Sequence, residues 1–279
     1  METKLTREFT KVCSDGFRQG WHERNGGNLS YRMKEEEVNE IRDCLNEQAE
    51  WREIGTEVPG LANEYFMVTG SGKYMRNVEL DFDDSVAVIR LNEDGTKYKV
   101  VYGLVNGGRP TSELPSHLMN LEVLKNRDAE MRVVYHAHPA NIVALTFVLP
   151  LNDEIFTREI WEMETECPVV FPQGIGVVPW MVPGGKEIGI KTSEIMKTRN
   201  VAVWAHHGLF VCGHDLDETF GLMHTVEKSA EILVKVMSMS DRKLNTIQPQ
   251  DFRDLQKPFN ITLDEKYLYD KPTDKIGDR

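Results

Sequence analysis

Residues 85–103 read SVAVIRLNEDGTKYKVVYG, and this stretch decides the architecture. Val86, Val88 and Ile89 on one side of Asp94-Gly95, with Tyr98, Val100 and Val101 on the other, form two β-prone runs around a turn dipeptide, the pattern of a β-hairpin. Strands joined by so short a connection run antiparallel. Towards the N-terminus, YFMVTG (65–70) predicts a strand entering a glycine turn, and RNGGNLSYRM (24–33) turns into another. Before them, Leu5, Phe9, Val12, Phe17 and Trp21 fall close to a helical stripe. Residues 34–63 are acidic and weakly patterned, an excursion with a short helix around Val38–Leu45. Towards the C-terminus, Ser112 precedes a helix carrying Leu114, Leu118, Leu121 and Leu124, with Pro115 tolerated in its first turn. MRVVYHAHP (131–139) predicts a strand, Ala140–Leu149 a short helix, and CPVVFPQGIGVVPW (167–180) and NVAVWAHHGLFVCG (200–213) further strands. Leu216, Phe220, Met223, Val226, Ala230, Leu233 and Met237 recur at steps of three and four, the strongest helical pattern in the chain. From residue 246 onwards the chain is polar and proline-interrupted, a surface tail. No internal repeat or low-complexity linker intervenes. The expectation is one α/β domain over 1–279, with its core at about 5–245 and a tail at 246–279, built on a mixed or largely antiparallel sheet.

With 279 residues, 40% of them hydrophobic, the chain can bury a full core. Its net charge of −12 argues against nucleic-acid binding, which needs a basic face. A small phosphorylated ligand is still allowed, because it needs only a local pocket of donors. METKLTREFTKVCSDGF at the start lacks the apolar run of a signal peptide. NIVALTFVLPL, among the longest apolar stretches, is too short to span a bilayer. A cytoplasmic protein without membrane contact is expected. Cys13, Cys44, Cys167 and Cys212 lie far apart without a Cys-x-x-Cys pair, so they read as ordinary buried thiols rather than a zinc knuckle or redox dithiol.

Among the eight histidines, one pair has informative spacing. Residues two apart in a strand face the same way, about 6.6 Å apart at Cα, so His136 and His138 can direct both imidazoles at one ion. Alone, His-Ala-His is a weak motif, met more often as polar lining of a core than as a ligand pair. An open catalytic site wants a third protein ligand. His206 or His207, before Gly208, can supply it, but neighbours in extended backbone point oppositely. His117, one turn beyond Glu113, is a further candidate. His22 and His224 lie in helical patterns and read as surface or packing residues.

Three turns are rich in hydrogen-bond donors. In Asn25-Gly26-Gly27-Asn28, consecutive glycines let amides converge on an anion; a tight helix-to-strand turn is the plainer explanation. Thr69-Gly70-Ser71-Gly72-Lys73 resembles part of a P-loop but has Met67 where the first glycine belongs and Tyr74 after the lysine, so it is not a nucleotide site. A small-phosphate turn remains, with donors from Ser71 and nearby amides. Thr111-Ser112-Glu113 places hydroxyls and free N–H groups at a helix start, a natural phosphate site. Glu113 itself is either first-turn helix charge or a general base beside a metal. Together these features suggest a phosphorylated substrate held over a metal ion.

NGGN, TGSGK, PTSELPSH, HAHP and HHGLFVCG occur in the order seen in the class II aldolase/adducin family, which the chain resembles from about residue 10 to residue 240. Longer stretches, above all Phe156–Gly184, resemble one sugar-phosphate aldolase of that family in particular. The resemblance implies an α/β fold around a large, mainly antiparallel central sheet flanked by helices, assembled as a homotetramer. It implies one zinc ion per subunit on His136, His138 and His207, with His206 directly preceding the last of these. It makes Glu113 the catalytic carboxylate, and Glu166 a second one acting at the aldehyde end, in its own or a neighbouring subunit's site. It puts the phosphate of a ketose substrate among Asn25, Gly27, Asn28, Ser71, Thr111 and Ser112. Metal-assisted cleavage needs no Schiff-base lysine, so Lys73 is positional. Two rivals remain. Another sugar-phosphate enzyme of this fold would share the metal and phosphate groups. A non-catalytic adducin-like module would lack the ligands that this sequence keeps.

Overall fold

The structure is a computed structural model and describes residues 2–270. Along the chain the elements are α1 (Lys4–Arg18), β1 (Asn28–Arg32), α2 (Glu35–Ile41), β2 (Arg52–Glu53), β3 (Tyr65–Thr69), α3 (Phe82–Ser85), β4 (Val86–Leu91), β5 (Lys97–Gly103), α4 (Leu114–Arg127), β6 (Val133–Ala137), α5 (Ala140–Leu145), α6 (Asp153–Trp161), α7 (Cys167–Val170), β7 (Gly176–Val178), α8 (Lys186–Met196), β8 (Val201–Trp204), β9 (Gly208–Gly213), α9 (Leu216–Met239) and α10 (Pro249–Phe259). The strands form a nine-stranded sheet in the order β2-β5-β4-β3-β1-β6-β9-β8-β7. Contacts group into two compact units: Met1–His138 with Met181–Lys197 and Cys212–Phe220, and the remainder. No helix among the described residues is long and apolar enough to cross a membrane.

In the first unit the hairpin predicted at 85–103 is β4–β5, antiparallel. Gly95 closes its turn at φ +69°, where a Cβ would also press on the Val58 carbonyl, so glycine is needed for both torsion and space. Asn92 Oδ1 accepts from the amides of Thr96 and Lys97 at 3.0 and 2.9 Å and fixes the turn. Next come β3 on β4, β1 on β3 and β6 on β1, all antiparallel, with Ser30 opposite Val68 and Asn28 opposite His136. That register puts the start of β1 and the ends of β3 and β6 at the same end of the sheet. All five β1 residues are buried, so the polar side chains of Asn28, Ser30 and Arg32 must find partners inside. Arg32 finds Glu64, at 3.3 Å.

The acidic excursion is tied to this sheet. The Glu47 carboxylate accepts from Lys99, Tyr65 and Arg90 at 2.7, 2.6 and 2.9 Å. Partial burial works against its charge, but the bonds from Lys99, Tyr65 and Arg90 outweigh it and hold the carboxyl down to about 2. Its helix begins and ends earlier than expected, at Glu35–Ile41, followed by a 3-10 turn at Arg42–Cys44.

In the second unit β8 runs parallel to β7 and antiparallel to β9. CPVV (167–170), expected as strand, is a helical turn. Pro168 offers no N–H to a ladder but suits a first helical turn. The helix at Ala140 stops at Leu145 rather than running to Leu149. The larger correction concerns the expected tail. Residues 249–259 form α10, which Asn260 ends in the left-handed conformation, and Phe252, Leu263, Tyr267 and Leu268 are buried. The Phe252 and Tyr267 rings lie 5.9 and 5.2 Å from Trp161. Four charges close the joint: Arg158 binds Glu162 at 2.6 Å and the Tyr267 carbonyl at 2.9 Å, while Lys243 binds Glu159 and Glu162 at 2.6 Å each. The remainder of the expected tail, 271–279, lies outside the described residues. Phe252→Ala is expected to cost about 3–5 kcal/mol, read as a lower midpoint in denaturant unfolding. A surface tail would give no shift.

Cys13, Cys167 and Cys212 are buried free thiols as expected, but Cys44, in the turn after α2, is exposed.

Candidate active site

The shared end of β1, β3 and β6 assembles the three donor-rich turns. Thr69 Oγ1 accepts from the Leu29 amide at 3.1 Å, which ties β3 to β1. The Thr111 amide donates to the Thr69 carbonyl at 2.9 Å and the Ser71 amide to the Arg109 carbonyl at 2.7 Å, so the turn at 69–73 and the start of α4 lie side by side. Amides of the TGSGK turn are therefore already used within the protein: that of Ser71, that of Gly70, which donates to the Ser85 carbonyl at 2.8 Å, and that of Lys73, which donates to the Gly70 carbonyl at 3.2 Å. Ser71 and Ser112 are exposed, whereas Thr111 is buried and its hydroxyl accepts from the Glu113 amide at 3.2 Å. Lys73 pairs with Asp84.

Glu113 caps α4 by position but not by side chain. Its carboxylate is buried, accepts from Asn28 Nδ2 at 2.9 Å and lies 3.8 Å from His136 Nε2. Burial pushes the carboxyl up from its ordinary value, and the Asn28 bond opposes this. The helix-charge explanation fails for a carboxylate turned inward, which leaves Glu113 as the acid–base candidate beside the histidine pair.

His136 and His138 face each other as the strand spacing predicts, with Nε2 atoms 3.2 Å apart. Two nitrogens on one tetrahedral zinc, each at about 2.05 Å, would stand roughly 3.3 Å apart. His138 Nδ1 is 2.7 Å from Glu23 Oε1, so the Nδ1 proton goes to the carboxylate and the Nε2 lone pair is available to an ion. The glycines of NGGN serve these rings. A Cβ at Gly26 would stand 2.9 Å from the His138 ring, and one at Gly27, where φ is +78°, would strike His22. Asn25 is exposed. Glu23→Gln is expected to weaken metal affinity about 10–100-fold in a chelator competition; an unchanged affinity would remove Glu23 from the site.

His207 follows β8, its amide on the Trp204 carbonyl at 3.1 Å and its ring 5.1 Å from that of Trp204. His206 takes φ +58° in the same turn. Its ring lies against Phe147 at 4.2 Å, with Nδ1 3.1 Å from Thr146 Oγ1. The two histidines thus part by a turn, not by strand alternation. The ligand atoms of His136, His138 and His207 lie within 4.8 Å of one another, and three imidazoles of this kind can hold a metal ion. His117, the other candidate ligand, spends both ring nitrogens on Ser30 and Asn28. Glu166 is exposed at the start of α7.

His22 is a packing residue, buried between the Gly26 carbonyl, 3.0 Å from Nδ1, and the Tyr135 hydroxyl, 2.7 Å from Nε2. Burial lowers His22 to about 4 and His117 to about 3, both from 6.5. Between pH 6.5 and about 4 the unfolded chain binds protons at these sites that the native protein does not. Stability present at neutral pH is therefore lost as pH falls, by about 1.4 kcal/mol per unit for each group. Urea unfolding of chelator-treated protein at pH 7, 6 and 5 should show this dependence, and His22→Gln should flatten it. Equal slopes in both proteins would refute it.

A family model described as the class II aldolase and adducin N-terminal domain matches residues 7–234. The chain belongs to the class II aldolase and adducin family. Within that family it is 48% identical over 253 residues to the rhamnulose-1-phosphate aldolase of Mannheimia succiniciproducens, covering 90% of this chain and 93% of that one. The aldolase of the same name from Pectobacterium atrosepticum is 47% identical over 256 residues, covering 90% and 92%. Among solved structures, a sugar-phosphate aldolase from Thermotoga maritima superposes with a TM-score of 0.73 at 30% identity, covering 87% of this chain and 98% of that one. This class II aldolase thus has the fold of its family, a mostly antiparallel sheet with helices.

Proposed function

We propose that the chain reversibly cleaves L-rhamnulose 1-phosphate between C3 and C4, giving dihydroxyacetone phosphate and L-lactaldehyde in rhamnose catabolism. The observation that carries this is a buried Glu113 carboxylate beside the His136–His138 pair, together with the activity named for the relatives.

His136, His138 and His207 would hold the ion, zinc by the all-imidazole donor set, one per subunit. Bound there, a divalent ion supplies Lewis acidity where negative charge develops on the ketose oxygens. The chain's own groups move the protons. As the C3–C4 bond breaks, its electron pair stays on C3 and the C4 hydroxyl loses its proton as the aldehyde forms. Glu113 delivers a proton to C3 in cleavage and removes it in synthesis. Glu166 takes the C4 hydroxyl proton, and its exposure suits action in a neighbouring subunit of a homotetramer. Asn25, Gly27, Asn28, Ser71, Thr111 and Ser112 form the phosphate set. Exposed Asn25, Ser71 and Ser112 would meet the phosphate itself, while Asn28 and Thr111 also serve Glu113. The protein would work in the cytoplasm.

The test offers L-rhamnulose 1-phosphate and L-fuculose 1-phosphate separately, with and without chelator, and assays dihydroxyacetone phosphate. Rapid, chelator-sensitive release from the first is expected. Preference for the second would reassign the aldehyde end, and full activity without bound metal would end the proposal.

A further inference from the structure

Asn28, Ser30, Glu113 and His117 are drawn from two elements and form one buried chain of hydrogen bonds. Ser30 Oγ lies 2.6 Å from His117 Nδ1, His117 Nε2 contacts Asn28 Oδ1, and Asn28 Nδ2 lies 2.9 Å from Glu113 Oε2. Ser30 and His117 are fully buried, and Asn28 and Glu113 nearly so.

The direction of every bond follows from the last acceptor. An ionised carboxylate can only accept, so Asn28 turns its NH2 to Glu113 and its carbonyl to His117. A carbonyl can only accept as well, so His117 carries its proton on Nε2. Nδ1 is then a bare lone pair, and the Ser30 hydroxyl donates to it. Without the imidazole, the buried Asn28 carbonyl would lose its donor, and the side chain would be held at the Glu113 end alone, free to shift within the space left.

We infer that His117 is a positioning residue for proton transfer: with Ser30 it fixes the Asn28 amide and so holds Glu113 in the pose that reaches C3. This rests on Glu113 being the group that moves the C3 proton. It is distinct from holding the phosphate, the other duty assigned to Asn28.

The test uses the metal-loaded enzyme and dihydroxyacetone phosphate alone, following solvent-deuterium exchange at C3 by NMR and binding by calorimetry. Wild-type protein is expected to catalyse exchange; if it does not, the role of Glu113 fails before that of His117 is reached. His117→Phe keeps the volume and removes the donor. It should slow exchange by about 10–100-fold, the scale of a misplaced catalytic group. Its Kd should stay within about twofold and its metal content unchanged. His117→Gln, which can again donate to Asn28, should recover most of the rate. Ser30→Ala, which leaves the ring in place, should give a smaller loss and serves if the Phe variant does not fold. In a Glu113→Gln background, His117→Phe should change nothing further. Wild-type exchange rates in both His117→Phe and Ser30→Ala would overturn the inference. So would a loss that appears in Kd or metal content rather than in rate, which would assign the chain to the phosphate or to the fold.

Discussion

Glu113→Gln is expected to lower turnover by about 10²–10⁴-fold, the contribution of a positioned general acid–base, with bound metal and KM little changed. The substitution keeps the shape and the hydrogen-bonding capacity towards Asn28 Nδ2 but cannot carry the C3 proton. Burial pushes the carboxyl up from its ordinary value and the Asn28 bond opposes this. Steady-state kinetics with metal analysis on the same sample checks this. Activity near wild type would mean that another group moves the proton, and loss of metal along with rate would make Glu113 a ligand instead.

His138→Ala should lose metal and activity together. The variant removes one of two nitrogens set 3.2 Å apart and strands the Glu23 carboxylate that oriented it. With the Lewis acid gone, several kcal/mol of charge stabilisation disappear, on the order of 10³-fold in rate. The contrast with Glu113→Gln is the informative result: one variant is loaded and slow, the other empty and slow. A His138→Ala enzyme with stoichiometric metal and full turnover would dismantle the site.

What the sequence disclosed follows the range of each interaction. The hairpin at 85–103 was legible because Asp94-Gly95 fixes it locally, and the His136–His138 pair because a strand's period is two. β1 reads as an alternating strand with a polar face, yet all five of its residues are buried, so nothing in the sequence marked Asn28 and Ser30 as inward-facing groups. Glu23 meets His138 across 115 residues and His117 meets Asn28 across 89, separations that only strand register reveals. The choice between His206 and His207 was hidden because a positive φ at a non-glycine residue leaves no mark in composition. The C-terminal region misled because its buried residues, Phe252, Leu263, Tyr267 and Leu268, are few and set among charges, too sparse to show a period. The stretch 167–170 misled through its valines, where Pro168 was the better guide.

The charge cluster around α6 has a consequence for how the chain is made. Glu159 waits 84 residues for Lys243, and Arg158 waits 109 for the Tyr267 carbonyl. At about 5–20 residues per second, α6 is made roughly 5–20 s before the last of its partners. The second unit therefore closes only after the segment through Tyr267 has been made, and a nascent chain stalled near residue 240 would present acidic α6 to chaperones rather than a finished surface.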